Sequence, residues 1–188
     1  MNDILALAAE VRQRHLQAMR AELAAFMDEY APAAAEVLFE LQRDESLPFR
    51  LYRADMATSV DGVAQPHDMA PSVHLEFEPF GVEMADHVTA AVHPFLWSEV
   101  ELHANTVLLP EPVESWALRW LDLDDAHPQD EDGLQGVIHS VLRDDGADGS
   151  TLITVDFGSA PVDALKELIE LAYACGASHV SILSPSLQ

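Results

Sequence analysis

Leu16, Met19, Leu23, Phe26 and Tyr30 follow one another in alternating steps of three and four, which places them on one stripe of a helix over residues 3–30. Asn2 or Asp3 is suited to cap its free amides. Pro32 interrupts the pattern and fits the first turn of a second helix over residues 32–43, which would bury Val37, Leu38 and Leu41. The chain therefore predicts an N-terminal helical hairpin, or one kinked helix. The stripe on helix 1 suits packing on its own domain. It is also the spacing of a helix–helix seam, which would make the protein a homodimer through this helix.

Alternation takes over from residue 47. Leu47–Arg53 predicts a strand, and residues 57–71 a loop, with Asp61-Gly62 as a tight turn and Pro66 and Pro71 lacking ladder donors. Ser72–Glu78 alternates cleanly, with Val73, Leu75 and Phe77 on one face and His74, Glu76 and Glu78 on the other. Residues 82–93 read equally well as a short helix or an extended segment. Leu96–His103 is the next strand, with Val100 and Leu102 inward.

The second half is clearer. Val113, Trp116, Ala117, Trp120 and Leu121 have the spacing of a core-facing helix that follows Pro110 and Pro112 and stops near Leu121; a strand over Trp116–Asp124 is the competing reading. An acidic loop follows over 124–133. Leu134–Leu142 and Thr151–Phe157 are strands joined by a turn rich in Asp and Gly. Residues 160–175 form a helix with Ser159 as its cap, Pro161 in its first turn and Gly176 as its stop, and His179–Ser184 is the last strand. From Leu96 onward the order is β-α-β-β-α-β. The expected class is α+β. It comprises N-terminal helices (1–45), strands and a loop (46–94), and a ferredoxin-like split β-α-β unit (95–188) whose antiparallel sheet carries two helices on one face.

Composition narrows the function. The 188 residues include 33 acidic and 9 basic side chains, for a net charge of −24, and 49% are hydrophobic, enough for a sizeable core. Eight arginines and Lys166 form no basic stripe, so nucleic acid is excluded as a direct ligand and anionic membranes are disfavoured. No run of roughly 18 apolar residues is available to span a bilayer. The N-terminus lacks the basic segment of a secretory signal, so a cytoplasmic location is expected. The lone Cys175 excludes an internal disulfide and suits a small buried hydrophobe.

Candidate chemistry is sparse. His74-x-Glu76-x-Glu78 and Glu99-x-Glu101-x-His103 each place an imidazole and two carboxylates on one strand face. Were the two strands adjacent, they could build a metal site. Were they not, they are solvated strand faces, and no metal or cofactor is expected. His139 and Ser140 are neighbours on a strand and point to opposite faces, so they are no base–nucleophile pair. The turn Asp156-Phe157-Gly158-Ser159 leads from a strand into a helix N-terminus, where free amides could bind an anion, but it has no nearby lysine or arginine. Trp116 and Trp120 read as core residues rather than a ligand platform.

The acidic run Asp122, Asp124, Asp125, Asp130, Glu131 and Asp132 remains, and it is the expected partner-binding edge. A charge of −24 opposes folding by self-repulsion, so it calls for a cause. A basic partner is one cause, and a high-salt habitat is another. The expected function is a small acidic protein-binding protein, of which an immunity or inhibitor protein neutralising a basic toxin is the concrete form. The alternatives are a metal-dependent enzyme or ligand-binding domain using the His/Glu faces, and a homo-oligomeric structural protein.

Overall fold

The computed structural model describes residues 1–70, 74–85 and 88–187. It is a mixed α+β fold with three α-helices and a nine-stranded mixed sheet. Helix α1 (Asn2–Glu29) is followed by β1 (Ala33–Glu40), β2 (Leu51–Val60), β3 (Val63–His67), β4 (Phe80–Ala85), β5 (Val88–Val92) and β6 (Val100–Ala104). Then come α2 (Pro110–Leu121), β7 (Ser140–Asp145), β8 (Thr151–Asp156), α3 (Val162–Ala174), β9 (His179–Leu183) and a short 3-10 turn, Pro185–Leu187. The sheet order is β1-β2-β7-β8-β6-β9-β5-β4, with β3 also paired to β2. Among the described residues, only the β5–β9 pair is parallel.

Helix α1 forms as its stripe predicts, and Leu16, Met19, Leu23 and Phe26 are buried while Tyr30 is exposed. The expected second helix does not form. Residues 33–40 are strand β1, paired antiparallel along β2 from Ala33↔Thr58 to Glu40↔Leu51. Pro32 and the spacing of Val37, Leu38 and Leu41 suit a helix, but the long neighbouring strand β2 offers a ladder, and tertiary pairing overrides local propensity. The helical hairpin is therefore replaced by a helix and a strand.

Other boundaries move for similar reasons. Asp61 and Gly62 do make a tight turn, with φ of 52° and 80°, but it joins β2 to β3 as a hairpin rather than lying in a loop. Pro66 fits β3 because, among the described residues, that strand pairs only with β2, leaving its other side without need of a donor. Ser72 and Val73 lie outside the described residues, and 74–79 run without a ladder, so the strand expected over Ser72–Glu78 is not found there. Of the ambiguous segment 82–93, residues 82–85 lie in β4 and 88–92 in β5, so the described part takes the extended reading. In the expected strand over 96–103, the ladder starts only at Val100. Likewise β7 starts at Ser140. Positive φ at Gly133 and Gly136 turns the chain ahead of it, and Leu134–His139 run as an irregular lead-in in which Leu134, Val137, Ile138 and His139 are buried. Helix α2 stops at Leu121 as expected, with Asp122 in the left-handed region at φ 50°. Ser159 does not cap α3: its Oγ accepts the amides of Gly136 (2.8 Å) and Val137 (3.3 Å) instead.

Two apolar clusters hold these layers. The main one joins the first turns of α1 (Ile4, Ala8, Val11) to α2, α3 and the strands β5 to β9. A second, smaller cluster joins Leu16, Met19, Leu23 and Phe26 to Ala35, Met56 and Leu134. The stripe of α1 is thus covered by its own chain. Across the sheet, β2 and β7 share a single paired position, Tyr52↔Ser140. The sheet is therefore divided by a narrow seam into a three-stranded part, β1 to β3, and a six-stranded body. No described helix is long and apolar enough to cross a membrane.

Candidate functional site

The seam is closed by charge. His139, just ahead of β7, donates its backbone N–H to the Asp156 carbonyl (2.8 Å) and accepts from the Arg53 amide (2.7 Å), so its backbone bridges β8 and β2. Its side chain is buried and lies between carboxylates. Nε2 is 2.9 Å from Glu36 Oε1, Nδ1 is 3.1 Å from Asp55 Oδ1, and Asp156 Oδ2 is 3.9 Å from Nδ1. An imidazole whose two nitrogens both face carboxylates satisfies both only as the doubly protonated cation. Burial opposes that charge, but hydrogen bonds to Asp55 and Glu36, with the charge of Asp156, hold its pKa well above the ordinary imidazole value.

The clamp's carboxylates are fully used. Glu36 Oε1 also accepts the Ser159 amide (3.2 Å) and Oε2 the Gln135 amide (2.5 Å). Glu36 is itself strained, with φ of 50° inside β1, which turns its side chain inward opposite Asp55. Asp55 Oδ2 accepts the Met69 amide (2.8 Å). Burial raises both carboxyls, but these hydrogen bonds and His139 outweigh it and hold both below their ordinary range. Arg53, 2% exposed, braces the same corner. It donates to the carbonyls of Leu121 (2.7 Å), Asp122 (2.5 Å) and Glu36 (2.6 Å), to Gln135 Oε1 and to Asp125 Oδ1.

Asp156 is different. Its Oδ1 accepts the Gly158 amide (2.9 Å), and its side chain is 27% exposed. Burial, opposed by His139 and reinforced by Asp55, pushes its carboxyl up to about 6. It opens on a cavity of about 350 Å³ between α1, β2 and the segments 68–70 and 96–99. That cavity's ionisable lining is Asp55, Asp68, Glu99, Asp156 and His15, with Met69, Ala70 and Leu96 as its apolar wall. Burial and the charge of His139 pull His15 down to about 4, so it is neutral at pH 7. Asp68 and Asp156 also border a second cavity of about 240 Å³, lined by Phe49, Tyr52 and Arg53 among others. Gly158 makes the arrangement sterically feasible. Its φ is 45°, and a Cβ at this position would collide with the His139 ring.

The turn Asp156–Ser159 thus belongs to the site, but not as an anion binder. Its Gly158 and Ser159 amides already serve Asp156 and Glu36. The two His/Glu trios stay separate: His103 pairs with Glu101 (2.8 Å) and His74 lies 3.9 Å from Glu76. Among the described residues no group of three or more His, Cys, Asp or Glu is placed to hold a metal ion. Trp116 is buried and donates to the Ala164 carbonyl, and Trp120 donates to Glu167.

Within the acidic run, the roles split. Asp122 is buried and accepts the amides of Ala126 (3.1 Å) and His127 (2.8 Å). Asp125 pairs with Arg53. Asp130 accepts the amides of Asp132 and Leu134 (both 2.9 Å), and Arg20 pairs with Asp130 (3.1 Å) and Asp132 (2.7 Å). Asp124 and Glu131 are exposed and have no hydrogen bond to another described residue. Sequence reasoning missed Glu36, Arg53, Asp55 and His15. A charged residue inside the apolar run Ala33–Phe39, and two more within β2, were the available signal.

The fold and site define a mixed α+β protein with a carboxylate-clamped imidazolium at a sheet seam and an anionic cavity beside it. No family model matches the chain, and comparisons with curated proteins and with solved structures find no match.

Proposed function

We propose that this protein docks a basic protein partner, in the manner of an immunity or inhibitor protein. One observation carries the reading: a chain of net charge −24 presents a cavity of about 350 Å³ whose ionisable lining is four carboxylates and a histidine held neutral. Such a lining attracts cations and repels anions, and the surrounding field speeds encounter with a basic surface. The exposed Asp124 and Glu131 extend that field to the acidic loop. We also read the strand order β7-β8-β6-β9, with α2 and α3 as its crossovers, as a ferredoxin-like split β-α-β frame. In this reading the frame carries the cavity and has no chemistry of its own to perform.

The test is affinity capture of partners from the host, followed by association kinetics with the captured protein. A basic partner is expected. Its association rate should fall as salt rises, because the Debye length shrinks from about 30 Å at 0.01 M to about 8 Å at 0.15 M. Neutralising Asp122, Asp124, Asp125, Asp130, Glu131 and Asp132 should slow association by about one to two orders of magnitude. Neutralising six acids on helix α1 (Glu10, Glu22, Asp28, Glu29) and strand β1 (Glu36, Glu40) controls for bulk charge, with Glu36→Gln read separately because it breaks the clamp. A partner without basic character, or a rate indifferent to salt, would overturn the proposal.

Asp156 favours a second reading, a ligand-binding or acid–base site in the same cavity. A part-exposed carboxyl pushed to about 6 is tuned for proton exchange near neutral pH. Saturable binding of a small cation, lost in Asp156→Asn, would favour it over protein docking.

A further inference from the structure

The seam between β2 and β7 has one ladder position, and the apolar core does little to strengthen it. Of strands β1 to β3, only Leu51 lies in the main cluster, with Leu38 packed at its margin. Their own cluster is shared with the second half of α1 and Leu134. Apart from that apolar contact with α1 and Leu134, the links that join the three-stranded part to the body across the seam are buried and polar. Arg53 is one, tying β2 to the end of α2. The Glu36–His139–Asp55 clamp is the other, with both carboxylates on one side of the seam and the imidazole on the other.

We propose that this clamp is a proton-operated latch: β1 to β3 stay docked while His139 carries both ring protons, and they open about Arg53 as a flap when one is lost. The geometry supplies the mechanism. With one nitrogen deprotonated, its lone pair faces a carboxylate at about 3 Å inside the protein, which is repulsive and leaves that carboxylate short of a donor. Opening hydrates all three groups. The titratable groups facing His139 are Glu36 from β1, Asp55 from β2, Asp156 from β8 and His15 from α1, with Arg12 of α1 near Glu36 and Asp68 near Asp156, while the Arg53 guanidinium of β2 is engaged by the Glu36, Leu121 and Asp122 carbonyls.

The proton linkage has a definite sign. The docked state raises the affinity of His139 for its proton, so docking is fully supported below the ordinary imidazole pKa and weakens as pH rises through the raised one. On the acid side, docking weakens as pH falls through the lowered values of Glu36 and Asp55. Docking is therefore firmest between those limits.

The three tryptophans make the test clean, because Trp97, Trp116 and Trp120 all lie in the body. Hydrogen exchange by mass spectrometry on the full chain, corrected for intrinsic rates, would follow residues 33–67 from about pH 7 to about pH 10, while tryptophan emission follows the body. Protection of 33–67 should fall at least tenfold before emission moves. Asp55→Asn should bring the fall down by about one pH unit or more, since it removes one of the two charges that hold the proton. His139→Gln, if it folds, should show the open-flap exchange at pH 7. Loss of both signals in one transition, protection of 33–67 that is flat with pH, or an Asp55→Asn midpoint equal to the parent's would each overturn the latch.

Discussion

The Nε2 of His139 lies 2.9 Å from Glu36 Oε1, across 103 residues of chain, and neither side chain is exposed by more than 2%. A pair this deep costs several kcal/mol per ion to desolvate, and is kept only where further hydrogen bonds complete both groups. Here they do: Glu36 accepts two backbone amides besides, and the second nitrogen of His139 faces Asp55. Stability, seam and cavity therefore depend on one cluster, and its members can be tested separately.

Gly158→Ala should cost about 2–4 kcal/mol. The new methyl group would meet the His139 ring, and the backbone is already in the left-handed region, so neither the side chain nor φ can relax cheaply. Urea denaturation measures it. A loss below about 0.5 kcal/mol would mean the ring has room to move, and the clamp is less rigid than its distances say.

Asp156→Asn should stabilise the protein at neutral pH and not in acid. Folding raises this carboxyl to about 6, so its ionised form is penalised in the folded state at higher pH. That penalty is present above about pH 6 and vanishes as pH falls to the ordinary carboxyl value. The variant has no such proton, so its advantage should be about 2 kcal/mol at pH 7.5, after allowance for partial exposure, and near zero at about pH 4. Thermal unfolding of both proteins across this range checks the slope. An advantage that grows toward acid would reverse the sign and refute the burial argument.

Arg53→Lys should not substitute for Arg53. The guanidinium fork reaches three carbonyls and two side-chain oxygens at once, and an ammonium has three donors on a flexible stem. Arg53→Met should cost about 3–5 kcal/mol by stranding the carbonyls of Glu36, Leu121 and Asp122, and Arg53→Lys should recover less than half of that. Equal stability of the lysine variant and the parent, in guanidinium or urea melts, would show that charge alone suffices.

Much of this architecture was legible because it is local. Val113, Trp116, Ala117 and Leu121 face the core at the spacing that predicted α2, and the stripe of α1 and the strand–helix–strand order after Thr151 follow from periodicity in the same way. The strand at 33–40 was not legible. Its helix-like spacing of Val37, Leu38 and Leu41 gives way to a ladder because β2 lies beside it, and that pairing is invisible to a short window. The site was illegible for the same reason. Glu36, Asp55, His139 and Asp156 come from four separate segments, and their meeting is set by sheet order rather than by spacing. The turn at Asp156–Ser159 did stand out in sequence. Its chemistry was inverted by the fold, since its amides bind the chain's own carboxylates.

The acidic loop allows stability and binding to be separated. Asp122 uses both carboxylate oxygens on backbone amides, Oδ1 on Ala126 and Oδ2 on His127. Asparagine presents only one acceptor oxygen, so Asp122→Asn must leave one of those amides without its partner. The expected cost is about 1–2 kcal/mol. Asp124 and Glu131 make no such bonds among the described residues, so the double change Asp124→Asn with Glu131→Gln should stay within about 0.5 kcal/mol of the parent, or raise stability by relieving repulsion. Binding should sort the other way. If a basic partner is steered by the field, removing the two exposed charges should slow association and make it less sensitive to salt, while dissociation stays the same. Asp122→Asn, with one buried charge removed and the loop partly loosened, should act on stability first. Urea melts and association kinetics on the two variants give four numbers. An association rate unchanged by the exposed pair, with the parent still salt-sensitive, would move the docking surface away from this loop and toward the cavity beside Asp156.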